Sequence, residues 1–246
     1  MRIATRKLRG LLSAGDLCYN GTMKYKCVIF DLDGTLVDTI ADIASAMNKA
    51  LEARGFPAHA ARDYTAMVGW GMRRLAFLAL PPSSRDDAAA DTLAREAGAI
   101  YNAEPLVHSK PYPGIPGLVA ELKGHKIKTA VLTNKPHSIT SLVISGLFPS
   151  GSFDAVCGDR PGSPRKPDPA SAWEILADLD ASPRDTVFMG DSEVDMETAL
   201  AAECFALGVS WGFRDRSVLQ KAGAKRIIDS PGELLEIIKG FKNNPS

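Results

Sequence analysis

Short apolar runs and stretches of helical period alternate along much of the chain. Cys27–Phe30 is a β-prone run that ends abruptly in acids. Ile40, Ile43, Ala44, Met47, Ala50 and Leu51 then recur at helical spacing, and Gly55 suits the stop that follows. Helical patterning continues from about Ala60 to Glu104, broken at Val68–Gly71 and at Pro81-Pro82, with no strand pattern in between. Pro111–Gly117 reads as a turn-rich boundary. Beyond it the pattern predicts strands at Lys128–Leu132, Asp154–Cys157, Thr186–Met189, Cys204–Val209 and Arg226–Ile228. Helices are predicted at Ser138–Leu147, Pro169–Leu179, Val194–Ala202, Asp215–Ala222 and Gly232–Lys239.

Strands alternating with helices across short connections predict an α/β fold. The expected architecture is a three-layer α/β/α, Rossmann-like parallel-sheet core. The helix-only stretch, residues 39–109, falls after the first strand and is expected to be an inserted helical cap. The core would then comprise residues 23–38 and 110–246.

Composition narrows the class. Of 246 residues, 45% are hydrophobic and 24% charged, which fits a folded globular chain. Lys plus Arg and Asp plus Glu are 29 each, so a broad polyanion-binding face is not expected, for nucleic acid or for membrane. The four cysteines, Cys18, Cys27, Cys157 and Cys204, form no CxxC and no cluster with histidine. Buried reduced thiols and a cytoplasmic location are the expectation. Met1–Thr22 carries Arg2, Arg6, Lys7 and Arg9 against one acid, Asp16. A natural start at Met23 is the preferred account of this leader, ahead of a flexible tail or a targeting segment.

The polar residues collect at strand ends. Cys27–Phe30 leads into Asp31, Lys128–Leu132 into Thr133, and Thr186–Met189 through Gly190 into Asp191; Lys166 follows the strand between. In an open parallel sheet these ends share one edge, where ligands bind. Asp31 and Asp33 stand two apart before Gly34, which lets the backbone turn tightly. With Asp191 they would form a hard-oxygen cluster suited to Mg²⁺. Lys166 adds a cation and Thr133 a hydroxyl, and amides after Asp31 and at Asn134 could meet phosphoryl oxygens.

Asp31–Asp38 reads DLDGTLVD, 133–135 TNK, Arg165–Pro169 RKPDP and Gly190–Met196 GDSEVDM. In this order and spacing they resemble the four motifs of the haloacid dehalogenase-like superfamily. Within it the chain looks like the phosphoglycolate phosphatase group, whose helical cap follows the first motif. Val68–Leu75 and Gly208–Phe213 share that likeness. One departure is Glu203, where such proteins usually show glycine.

The resemblance implies roles. Asp31 would be the nucleophile that forms an aspartyl-phosphate. Asp33 would be the general acid and then the general base. Thr133 and Lys166 would hold the transferring phosphoryl group. Asp31, the Asp33 backbone carbonyl and Asp191 would hold Mg²⁺, with Asp195 orienting Lys166 or a metal-bound water. Gly34, Thr35, Asn134 and, from the cap, Arg73 are the candidate substrate contacts. Lys135 is expected in solvent, His137 at the surface, and His59 and His108 show no ligand spacing.

The implied activity is Mg²⁺-dependent hydrolysis of a small phosphorylated metabolite, foremost 2-phosphoglycolate. A sugar phosphomutase of the β-phosphoglucomutase kind, a nucleotide or pyrophosphate phosphatase, and a non-catalytic phosphate-binding protein are the alternatives. Dehalogenation would leave the acid Asp33 without a task. Phosphonate hydrolysis would need a cap lysine, and Lys49 has ordinary amphipathic placement.

Overall fold

The computed structural model describes residues 23–240, so the expectations for the leader Met1–Thr22 lie outside the described residues. From the amino end come β1 (Cys27–Phe30) and β2 (Val37–Asp38), then the helices α1 (Ile40–Glu52), α2 (Met72–Ala79) and α3 (Asp87–Ala103). The chain returns through β3 (Lys110–Pro111), α4 (Ile115–Gly124), β4 (Lys128–Pro136), α5 (His137–Leu147), β5 (Ala155–Asp159) and α6 (Ala170–Asp178). It closes with β6 (Thr186–Gly190), α7 (Glu193–Ala201), β7 (Phe205–Val209), α8 (Arg216–Lys221), β8 (Arg226–Ile228) and α9 (Glu233–Ile238). None of the helices among the described residues is long and apolar enough to cross a membrane.

Six strands form a parallel sheet in the order β5-β4-β1-β6-β7-β8. Side chains along β1 alternate between two cores. Val28 and Phe30 pack in the cluster that holds α4, α5 and α9, while Cys27 and Ile29 join the one that holds α6, α7 and α8. All four are fully buried, as expected of a central parallel strand covered on both faces. Each large apolar side chain so removed from water favours folding by ~1.5–3 kcal/mol.

The chain places β4 and β5 on one side of β1 and then crosses back to β6 on the other. That reversal opens a crevice at the carboxyl end of β1, flanked by the ends of β4 and β6. Above it lies the helical cap. Both crossings into the cap run through a short antiparallel ribbon, with Val37 opposite Pro111 and Asp38 opposite Lys110. Asp42 of α1 steadies the return crossing. Its buried carboxylate accepts from the backbone N–H groups of His108 and Ser109 and from the Ser109 hydroxyl.

Two differences from the sequence reading have local causes. Helix α4 occupies part of the expected turn, because Gly114 is its N-cap and Pro116 sits in its first turn, where a missing N–H does no harm. Strand β4 runs beyond Leu132 to Pro136, through a register shift against β5, and so carries residues 133–135 along the crevice.

Glu203 takes φ +59, closing α7 with its N–H donated to the Leu200 carbonyl and that of Cys204 to the Ala199 carbonyl. The position where the resemblance leads one to expect glycine is thus a left-handed helix stop, and a side chain there is strained by ~1 kcal/mol.

Candidate active site

The ends of β1, β4 and β6 and the loop after β5 bring their polar residues to one cavity. Asp31, Asp33, Thr133, Asn134, Lys166 and Asp191 all line it. The centre of a water molecule can occupy about 50 Å³ of it, room for a few waters or one small anion.

Lys166 organises the floor. Its ammonium donates to Asp31 Oδ1 at 2.7 Å and to Asp195 Oδ1 at 2.6 Å. Asn134 fixes the backbone of Lys166 from both sides, accepting from its N–H at 2.9 Å and donating to its carbonyl at 3.0 Å. Asp195 serves two purposes at once. Its second oxygen accepts from the Ser192 N–H and hydroxyl, forming the capping box that starts α7, while its first holds Lys166.

Asp191 is held from two loops. Thr35 donates its hydroxyl to Oδ1 at 3.2 Å, and the Phe213 N–H donates to Oδ2 at 2.7 Å. Two glycines make the space it needs. A Cβ on Gly34, which has φ +87, would meet Asp191 Oδ2 at 2.3 Å, and one on Gly212 would meet Asp191 Cβ at 2.2 Å. Gly34 and Thr35, expected to touch substrate, do not line the cavity; they shape and hold this carboxylate instead.

Asp33 lines the cavity and accepts from the Thr39 hydroxyl at 2.7 Å. It also accepts from Lys135, whose ammonium is 2.9 Å from Oδ1 and 3.2 Å from Oδ2. Lys135 is therefore not in solvent. The lengthened β4 buries it, and its ammonium also donates to the Tyr101 hydroxyl of α3 at 2.7 Å. Thr39, Tyr101 and Lys135 are contacts that the sequence reading missed. The signal available for Lys135 was charge: four acids gathered against one counted cation.

Arg73 is a correction. Its guanidinium pairs with Asp87 at 2.8 Å and Asp91 at 2.6 Å on α3, and it does not line the cavity. These ion pairs join α2 to α3 within the cap. His137 is half-buried, and its Nδ1 accepts from the Gly158 N–H at 3.2 Å.

The electrostatics follow from burial. Asp31, Asp191 and Asp195 can bring one oxygen each within 4.8 Å of one another. Burial, then repulsion from Asp195, push the Asp31 carboxyl up to about 7 despite Lys166. Burial, then Asp195 and Asp31, raise Asp191 well above its ordinary value. Burial alone would lower Lys166, but Asp195 and Asp31 outweigh it and raise the ammonium. Fully ionised, the trio would carry more negative charge than one lysine cancels, which is why its carboxyls hold their protons to higher pH, and its hard oxygens suit a divalent cation of the Mg²⁺ kind.

Comparison with known proteins agrees with this geometry. Residues 28–209 match the model of the haloacid dehalogenase-like hydrolases. Phosphoglycolate phosphatase of Rhodospirillum rubrum is 34% identical over 212 residues, 83% of this chain and 87% of that protein. The enzyme of the same name from Neisseria meningitidis is 31% identical over 226 residues, 89% of this chain and 95% of the other. A crystal structure from Lactobacillus delbrueckii subsp. bulgaricus superposes with a TM-score of 0.83 at 33% identity, covering 89% of this chain and 100% of its own. With motifs at three strand ends and one loop and relatives matched along most of its length, the chain belongs to the haloacid dehalogenase-like hydrolases, in their phosphoglycolate phosphatase-like group.

Proposed function

We propose that this phosphoric monoester hydrolase cleaves a small substrate, foremost 2-phosphoglycolate, through an aspartyl-phosphate on Asp31. The observation that carries the reading is the meeting of Asp31, Asp33, Thr133, Lys166 and Asp191 around one small cavity. Relatives that bear the name phosphoglycolate phosphatase support the choice of substrate. So does the cavity, which has little room beyond a phosphoryl group and a short acid.

In the first step a carboxylate oxygen of Asp31 attacks phosphorus, and the bond from phosphorus to the ester oxygen breaks. Asp33 protonates the departing alkoxide. In the second step water attacks the phosphoryl group, Asp33 takes its proton, and the bond to Asp31 breaks. Lys166 keeps Asp31 in place and, with the Thr133 hydroxyl, meets the charge on the phosphoryl oxygens. Lys135 and Thr39 hold the Asp33 carboxyl in position through both proton transfers. Asp31, the Asp33 backbone carbonyl and Asp191 would hold Mg²⁺, with Asp195 orienting Lys166. The ion would supply the positive charge that lets an anionic substrate approach a cluster of acids. Besides Lys166, the cations along the cavity are Lys135, which is paired with Asp33, and Arg214, which is paired with Glu193.

A panel of phosphomonoesters with Mg²⁺ tests the reading. Phosphoglycolate should give the highest kcat/KM, above sugar phosphates, nucleotides and pyrophosphate. Preference for a sugar phosphate, with product isomerised rather than hydrolysed, would favour the mutase instead. No turnover of any phosphomonoester would overturn the proposal.

A further inference from the structure

The cap reaches the cavity through a glycine-flanked loop, entered from a helical turn in which Met67 and Val68 donate their N–H groups to the Tyr64 carbonyl. Val68, Gly69 and Gly71 line the cavity, and Gly69 and Gly71 have φ of +118 and +84. Two such residues on either side of Trp70 leave the loop many conformations. Further hydrogen bonds to it come from the core. Arg214, in the loop after β7, donates from Nη2 to the Val68 carbonyl at 2.7 Å and from Nη1 to the Thr65 carbonyl. Asn134 donates to the Gly69 carbonyl at 3.0 Å. Glu193, at the start of α7, accepts from the Trp70 indole N–H at 3.1 Å and from Arg214 Nε at 3.0 Å.

Arg214 is therefore the junction of this seam. One guanidinium spans two cap carbonyls and a core carboxylate, a fork geometry that lysine cannot reproduce. Its side chain is only 11% exposed, so these bonds are largely shielded from water. The preceding residue, Phe213, donates its N–H to Asp191. The same short loop thus holds a floor carboxylate at one residue and the cap loop at the next.

We propose that Arg214 is a positioning residue that fixes the 65–71 loop over the cavity and so limits the enzyme to small phosphomonoesters. This rests on the phosphomonoesterase reading above. Without the guanidinium, the loop loses two of its four core bonds outright, Glu193 loses its ion pair, and the space above Asp31 and Asp33 is no longer bounded at a fixed distance. The small substrate then loses the wall that orients it, while a larger one gains room.

The test uses the full chain with Arg214→Gln, Arg214→Lys and Glu193→Gln, and it has two arms. In the first, amide hydrogen exchange of the substrate-free protein should speed up across 65–71 by ~10-fold or more in both Arg214 variants, with β1 and β6 unchanged. This arm does not depend on what the enzyme hydrolyses. In the second, kcat/KM for phosphoglycolate should fall by ~10²-fold, as expected from loss of orientation, mostly through KM. That for p-nitrophenyl phosphate should fall less or rise, so the ratio of the two shifts by ~10-fold or more. Arg214→Lys should keep the pairing with Glu193 yet fail to restore the ratio, and Glu193→Gln, which keeps an acceptor for Trp70, should fall between. A purely structural role would lower both substrates alike. Unchanged exchange at 65–71, or equal losses on the two substrates in folded variants, would overturn the proposal. If no substrate is hydrolysed but the loop loosens, the functional reading fails and the positioning of the loop by Arg214 stands.

Discussion

Replacing Asp31 by Asn should make the metal-free protein more stable at neutral pH. In the folded state the Asp31 carboxyl is pushed up from 3.8 to about 7, by burial and then by Asp195. A raised carboxyl favours the protonated folded form. The stability it contributes is fully present below 3.8 and is lost as pH rises through about 7. A gap of a little over 3 pH units corresponds to ~4 kcal/mol. For a chain of this size that is on the order of 10 °C in Tm. Asn cannot ionise, so Asp31→Asn escapes this loss while Lys166 keeps Asp195 as its partner. Thermal unfolding in EDTA should show the two proteins nearly equal at pH 4. The variant should then lead by a margin that grows to about that size by pH 8. Mg²⁺ should close the gap, because it would bind the ionised Asp31 and Asp191 and raise the wild type more than the variant, and more at pH 8 than at pH 5. A variant less stable than wild type at pH 8 in EDTA, or a Mg²⁺ shift equal at both pH values, would refute the charge reasoning.

Lys135→Met should lower kcat by ~10²-fold with a smaller change in KM, because the acid Asp33 keeps only Thr39 to orient it. It should also destabilise by ~3 kcal/mol in denaturant unfolding, since a nearly buried carboxylate loses its partner; wild-type kinetics would return Lys135 to a passive role. Glu203→Gly should raise stability by ~0.5–1 kcal/mol without changing kcat, by relieving the left-handed strain after α7. A destabilised variant would mean that the glutamate makes a compensating contact. The buried thiols of Cys27 and Cys204, raised by burial to about 11 and about 12, should stay unlabelled by iodoacetamide in native protein at pH 8, as read by mass spectrometry of their peptides. Rapid labelling of either would contradict their placement in the core.

The α/β core with its helical insertion was legible because each strand is a short apolar run and each helix has a clear period. Helix α4 was not, since Pro113, Gly114, Pro116 and Gly117 hide its pattern behind residues that usually mark turns. The motif residues meet at one crevice because parallel strands share an edge, which the sequence could suggest. What it could not supply was side-chain direction. Lys135 follows two polar motif residues and reads as solvated, yet the extended β4 carries it beneath the cap. Tyr101 lies mid-helix with no local mark of its contact to Lys135. Arg73 and Arg214 show the same limit from opposite sides. The first stands in a motif-like cap segment and pairs away from the cavity, while the second, in an unremarked loop, holds the cap in place.

Phosphate release from 2-phosphoglycolate by wild type and Asp31→Asn, side by side with Mg²⁺, tests the central claim most directly. The account predicts turnover by the wild type and a loss of at least ~10⁴-fold in the variant, as expected when a nucleophile is removed. Because the variant should be folded, and in EDTA at neutral pH more stable than its parent, such a loss is chemical. A variant that still turns over at a rate near wild type would show that Asp31 does not attack the phosphorus.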